Sequence, residues 1–162
     1  MIRPIALAAL CLGLMGCGFH PLYGDAKLSP AMATIYVEPI PDASGYELRN
    51  HLIDLLGSDG RAAGKAYQLK ITVTNNNQGV ALQNDATITR YNDTTKVSYV
   101  LLDAKGTQIY QGNLQGLSSY NVANSPYATN IAQQDSDLRA ADDLAERIRL
   151  DLGVFLSRRT KQ

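Results

Sequence analysis

The chain has 162 residues, with 15 Lys+Arg against 15 Asp+Glu, and is 45% hydrophobic and 19% charged. That length is one domain's worth, and without a net positive field the chain lacks the basic footprint that a nucleic-acid backbone requires. Tryptophan is absent, so 9 Tyr against 2 Phe carry the aromatic packing.

The chain opens on Met1-Ile2-Arg3, followed by an apolar run from Ile5 to Met15 and then by Gly16 and Cys17. A positive start, an apolar run too short to span a bilayer and a small residue before the cut make a bacterial secretory signal. A cysteine directly after the small residue marks the lipoprotein form, because its thiol receives the diacylglyceryl group before cleavage. Leu14-Met15-Gly16-Cys17 is such a lipobox. Residues 1–16 are expected to leave as signal, and Cys17 to be the lipidated first residue of a mature chain of 162 minus 16, or 146, residues. Two or three buried acyl chains hold such a protein firmly on a membrane. Gly18 stands where an Asp would favour inner-membrane retention, which points to the outer membrane with the body facing the periplasm. Cys11 leaves with the signal and Cys17 is acylated, so no disulfide framework exists and stability must come from packing.

Residues 17–32 read as a lipidated tether. Pro21 and Pro30 remove donors and Gly18 and Gly24 loosen the backbone, so no regular element is expected. Phe19, Leu22 and Tyr23 give it an apolar grip, either on its own domain or on a partner close to the membrane. His20 has no second ligand nearby and reads as a solvated imidazole rather than a metal site.

The body, residues 33–162, is expected to be a single α+β domain. Ala33 to Val37 is β-branched and aromatic and is stopped by Glu38-Pro39-Ile40-Pro41-Asp42, the pattern of a first strand. Leu48, Leu52, Leu55 and Leu56 then recur at helical spacing over Tyr46–Leu56, with Ser44-Gly45 at the start and Gly57 as C-cap. His51 lies beside that stripe with no catalytic partner. Tyr67, Leu69, Ile71 and Val73 alternate with polar residues, which predicts a strand with one wet face. Asn75-Asn76-Asn77-Gln78-Gly79 reads as a loop or bulge. Further strands are expected over 86–91 and, after an Asn92-Asp93 turn, over 96–103. A hairpin at Asp103-Ala104-Lys105-Gly106 leads to a partner strand over 108–114 that Ser118 to Val122 extends or follows. From Tyr127 to Leu156 a long helix carries Ile131, Leu138, Ala141, Leu144, Ile148, Leu152 and Phe155 as its core-facing stripe. Aspartates lie in its first half and arginines towards its end, as the helix dipole favours. The architecture that buries both helices is an α+β two-layer sandwich: a mixed, mostly antiparallel sheet of about four strands with two helices packed on one face. The other face, with Gln68, Lys70, Thr72 and Ser98, would be free.

No catalytic constellation is present. The two histidines fall in no signature, and there is no G-x-S-x-G, no P-loop and no free thiol once Cys17 is acylated. Asp135-Ser136-Asp137 has the form of an Asp-x-Asp metal motif, but acidic residues early in a helix are expected from electrostatics alone, and the sequence nominates no ligands from elsewhere. No metal, no cofactor and no enzymatic activity are expected.

The start Cys17-Gly18-Phe19-His20-Pro21-Leu22-Tyr23-Gly24, followed by this order of elements, the Ser119-Tyr120 and Ser125-Pro126-Tyr127-Ala128 patches and the long final helix, resembles the lipopolysaccharide-assembly lipoprotein LptE family in its alphaproteobacterial form. The resemblance covers essentially the whole mature chain. It implies an outer-membrane lipoprotein that plugs the LptD β-barrel, helps that barrel fold, and contacts lipopolysaccharide on its way to the outer leaflet, without catalysing a reaction. In such proteins basic residues on the sheet and in the loop before the last helix meet the lipid A phosphates, which calls for charge-assisted hydrogen bonds. Arg90 matches the first position, with Lys96 close behind, against a plain reading of both as solvated strand charges. Asn130 stands where the second basic residue would be. Two other readings are an auxiliary lipoprotein of an envelope lipid-trafficking ABC system and a small lipoprotein hydrolase.

Overall fold

The computed structural model describes residues 28–82 and 88–159; Cys17, His20 and most of the tether lie outside them. The elements are α1 (Leu28–Ala33), β1 (Ile35–Val37), α2 (Ala43–Leu56), β2 (Tyr67–Leu82), β3 (Ile88–Asp103), β4 (Gln108–Asn121) and α3 (Pro126–Arg159). The strands form one mixed sheet in the order β1-β2-β3-β4, with β1 parallel to β2 and the other two pairs antiparallel. The helices pack on one face, which is the expected α+β two-layer build.

The strong periodicities fold as they read. Leu48, Leu52 and Leu56 of α2 are buried, and Gly57 ends the helix at φ 65°, in the left-handed region that glycine enters without a Cβ penalty. In β2, Leu69 and Ile71 are buried and meet Leu101 and Tyr99 of β3. Leu144, Ile148 and Leu152 of α3 lie over this layer at 0% exposure, and burying each contributes about 1.5–3 kcal/mol.

Four expectations change. Leu28–Ala33 is helical although the tether was expected to be irregular, and its Met32 enters the core. Asn75 to Gly79 is not a break: β2 runs straight through it, opposite Thr95 to Tyr91 of β3. Backbone pairing satisfies that run whatever its side chains, and because those side chains are exposed their polarity carries no desolvation penalty. The irregularity falls later, between Gly79 and Leu82. Likewise the Asn92-Asp93 turn is absent and the two expected strands are one, β3, because β4 pairs along it without interruption from Arg90 to Leu101.

The last change is in α3. Ile131 and Leu138 are 45% and 41% exposed, whereas Ser136, Ala140 and Ala141 are buried. At about 100° per residue, Leu138 points about 160° and Ile131 about 140° away from Ser136 in the same sense, so the two share the outer side of the helix. Small residues hold this half of the helix close to the sheet. Beneath it Gly116 leaves room, since a Cβ there would stand 3.1 Å from Leu144 Cδ1.

Candidate functional site

Strand register sorts the charges. Leu69, Ile71 and Val73 of β2, the odd residues of β3 and the even residues of β4 face the helices, so Gln68 to Gln78 in even steps, Arg90 to Leu102 in even steps and Gln111 to Ser119 in odd steps face the other way. That outer face carries Lys70, Arg90 and Lys96, and the strands put no Asp or Glu on it. Glu38, past the end of β1, reaches its rim, where it accepts a hydrogen bond from Gln68 Nε2 at 2.6 Å. Carboxylates gather instead on the helix layer, where Asp142 pairs with His51 at 2.8 Å, Asp143 with Arg147 at 3.0 Å and Asp135 with Arg139. A chain of zero net charge therefore presents a sheet face whose strand charges are all cationic opposite a helix layer of mixed, largely paired charges.

Arg90 and Lys96 are both exposed on this outer face, as the sequence reading requires for ligand contact. Six strand positions separate them, about 20 Å at ~3.3 Å per residue, so they do not converge on one group. Lys96 stands between Thr74 and Gln115. Arg90 is held in place: its Nη2 donates to Ser119 Oγ at 2.6 Å. It borders an open groove of about 520 Å³ at the free edge of β4, lined also by Asn92, Leu117, Ser119, Arg139 and Asp143. The second cation beside Arg90 is thus Arg139 of α3. Sequence spacing offers no sign of this beyond the Asp135–Arg139 helical pair, because packing of α3 over β4 creates the neighbourhood. Asn130 lies in the first turns of α3, not in a loop; its Oδ1 accepts from Gln134 Nε2 at 2.8 Å, on the wall of a neighbouring open groove of about 650 Å³.

A second polar group sits between sheet and helix. Asp93, 4% exposed, lies opposite Ser118 in the β3–β4 register, and the Asp137 carboxyl comes within hydrogen-bonding reach of it. Burial, and then the Asp93 carboxyl, push Asp137 up to about 6. Local patterning assigns Asp93 to a turn, so this meeting is not visible from the residues alone.

Tyr99 and Tyr110 mark the opposite end of the layer. Tyr99 is buried and donates its hydroxyl to Asp151 Oδ2; burial and this partner raise its phenol well above the ordinary value, and burial and Asp151 raise Tyr110 too. Tyr110 stacks on Phe155 with ring centroids 4.6 Å apart. These are contacts of the packed core. Among the described residues no three His, Cys, Asp or Glu side chains gather as metal ligands, and no helix is long and apolar enough to cross a membrane.

A model described as LptE, lipopolysaccharide-assembly, matches residues 32–152, and the chain belongs to that family. The crystal structure of a Caulobacter crescentus CB15 protein is similar at TM-score 0.69 and 32% identity, covering 83% of this chain and 98% of that one. The fold is shared by a minor lipoprotein from Acinetobacter baumannii, with TM-score 0.60, 20% identity and coverage of 75% and 92% of the two chains. Rare lipoprotein B from Shewanella oneidensis shares it as well, with TM-score 0.57, 10% identity and coverage of 79% and 98%. An uncharacterized Rickettsia prowazekii protein is 26% identical over 155 residues, spanning 94% of this chain and 97% of its own.

Proposed function

We propose that this LptE-family protein is an outer-membrane lipoprotein, cleaved after residue 16, acylated at Cys17 and tethered through residues 17–32, whose body plugs the LptD β-barrel and meets lipopolysaccharide during its insertion into the outer leaflet. It acts by binding and assembly, with no cofactor and no reaction. The observation that carries the reading is the outer face of the sheet, where the described strands place Lys70, Arg90 and Lys96 and no Asp or Glu, within a chain of this family. Such a face suits the phosphorylated headgroup of lipopolysaccharide. Arg90, oriented by Ser119 and flanked by Arg139, is the first contact, and Lys96 extends the cationic track along β3. Asn130 leaves no cation at the start of α3, and Arg139 supplies that second charge about two and a half turns further on.

Charge-assisted bonds to phosphate are worth about 1.5–3 kcal/mol each. The double change Arg90→Glu/Lys96→Glu should therefore weaken lipopolysaccharide binding by about tenfold or more, while recovery of the LptD barrel with the lipidated protein stays unchanged. Equal binding by the variant and the unaltered protein would reduce both residues to solvated surface charges. Purification of the Cys17-lipidated chain from outer membranes without a large barrel would exclude the plug role and favour an auxiliary role in lipid trafficking.

A further inference from the structure

We propose that two copies of this chain join through the free edge of β4 about a two-fold axis beside Leu117, so that the four-stranded sheet of each continues into that of the other. The inference concerns the chain on its own and does not rest on the plug role.

The two edges of the sheet are treated differently. At β1, which has only three residues, the carbonyls that point away from β2 are capped: Ser58 Oγ donates to Ile35 O at 2.8 Å and Arg49 Nε to Val37 O at 3.1 Å. β4 is 14 residues long, contains no charged residue and no proline, and so lacks the devices that keep an edge from pairing. Val122 N donates to Thr89 O at 2.9 Å, so the even residues of β4 turn their N–H and C=O groups towards β3 and the odd ones turn theirs outward. Among the described residues the outward groups of Gln111, Asn113, Leu117 and Ser119 meet no partner. Of Gln115 only the carbonyl does, accepting from Arg147 Nη1 at 3.0 Å. On the same edge the Leu117 side chain is 70% exposed.

The flank of α3 above this edge selects the partner. Asp135, Arg139, Asp143 and Arg147 recur every four residues and alternate in sign, on the side of the helix away from α2, which meets the other side through His51 and Asp142. Turned on itself about Ala141, the stripe sets Asp135 against Arg147 of the partner subunit and Arg139 against Asp143 of the partner subunit. Laid parallel it would set like on like. β4 has a centre of its own. An antiparallel copy pairs odd residues with odd, and placing Leu117 opposite itself puts Ser119 opposite Gln115 of the partner subunit and covers the two leucines with each other.

The two centres coincide. Arg147 is bonded to Gln115, a Cβ on Gly116 would stand 3.1 Å from Leu144 Cδ1, and Arg139 and Ala140 border the groove at Leu117 and Ser119. Ala141 therefore lies over Leu117 and Ser118, and one axis serves both layers. The long side chains of the stripe suit the distance of about 8–10 Å at which neighbouring helices pack. An unrelated strand could use the edge but would match the stripe only by chance, whereas a second copy matches it by symmetry.

The Cys17-lipidated chain, in detergent with micelles in excess, is followed by analytical ultracentrifugation over the micromolar range, where a shift from one to two chains per particle is expected. Leu117→Lys sets like charges opposite each other at an exposed position and should weaken the dimer at least about tenfold, with an unchanged circular dichroism spectrum. Arg139→Asp and Asp143→Arg should each weaken it several-fold. Their combination should restore it, because the pair across the axis re-forms with exchanged signs while the pairs along each helix stay broken. With a short bismaleimide Leu117→Cys should link to itself, and Asn113→Cys, about 13 Å from the axis in each copy, should not. One chain per particle at every concentration would overturn the proposal. So would a dimer undiminished in Leu117→Lys, equal self-linking at both cysteine positions, or a double charge change no better than the single ones.

Discussion

The packing of β3 against β4 makes one substitution especially diagnostic. Gly112 of β4 faces Tyr99 of β3 across the sheet, and a Cβ built on Gly112 would overlap Cζ and Oη of that ring. Tyr99 is 1% exposed, its hydroxyl is bound to Asp151, and its ring leans on Tyr110 at a centroid distance of 6.4 Å. In Gly112→Ala the ring must therefore move as a whole, into neighbours that are themselves packed. Overpacking of this kind costs about 1–3 kcal/mol, and parting Tyr99 from a charged acceptor adds about 1.5–3 kcal/mol, for a combined loss of about 2.5–6 kcal/mol. Denaturant unfolding followed by circular dichroism measures it. The sign should change in a Tyr99→Leu background: leucine has no atoms at Cζ or Oη, and alanine is the better strand residue by about 0.5–1 kcal/mol. There the same glycine change should be neutral or stabilising. A loss below about 1 kcal/mol in the unaltered background, or an equal loss in both, would refute the argument that Gly112 exists to admit the Tyr99 ring.

Two further predictions rest on the helix layer and on the tyrosines. Leu144→Ala, in the buried stripe of α3 over Gly116, should lower stability by about 2–5 kcal/mol, whereas Leu138→Ala, on the exposed side, should change it by less than about 0.5 kcal/mol by the same unfolding assay. Tyr99 and Tyr110 both hold their protons more tightly folded than unfolded. The stability they contribute is complete below the unfolded phenol value of about 10 and is lost as pH rises above it; unfolding curves at pH about 9 and about 11 should show the fall, and it should shrink in Tyr99→Phe.

What could be read from the residues was what repeats locally. The leucines of α2, the alternation of Tyr67 to Val73 and the Leu144–Ile148–Leu152 spacing each specify a face within one element, and each is buried where expected. Gly57 was legible for the same reason, since a left-handed cap needs no distant partner. Where the reading failed, a second element decides the outcome. Asn75 to Gly79 is extended because β3 pairs with it, and Asn92-Asp93 is strand because β2 and β4 flank it on both sides. Ile131 and Leu138 share a face seven residues apart, as their spacing says, but spacing does not choose which face meets the sheet. That choice went to Ser136, Ala140 and Ala141, whose small side chains let α3 lie close over β4.

The same distinction separates the parts of the candidate site. Arg90 and Lys96 were each legible as strand charges, but the expected Asn92-Asp93 turn put them on different strands; the continuity of β3 is what sets residues six apart on the same side. Arg139 beside Arg90 was not legible, nor was Asp137 against Asp93, since each pair joins a helix to a strand far away in the chain. Composition hid the larger pattern altogether. Equal numbers of acidic and basic residues suggest a surface without direction, yet strand parity sends Lys70, Arg90 and Lys96 to one side of the sheet and helix packing keeps Asp135, Asp142 and Asp143 on the other. A protein so divided can turn one face towards phosphate and the other towards a different neighbour while its net charge stays near zero. Reversing Arg90 and Lys96 therefore tests more than two contacts: it removes the asymmetry of the molecule while the core and the helix layer stay as they are.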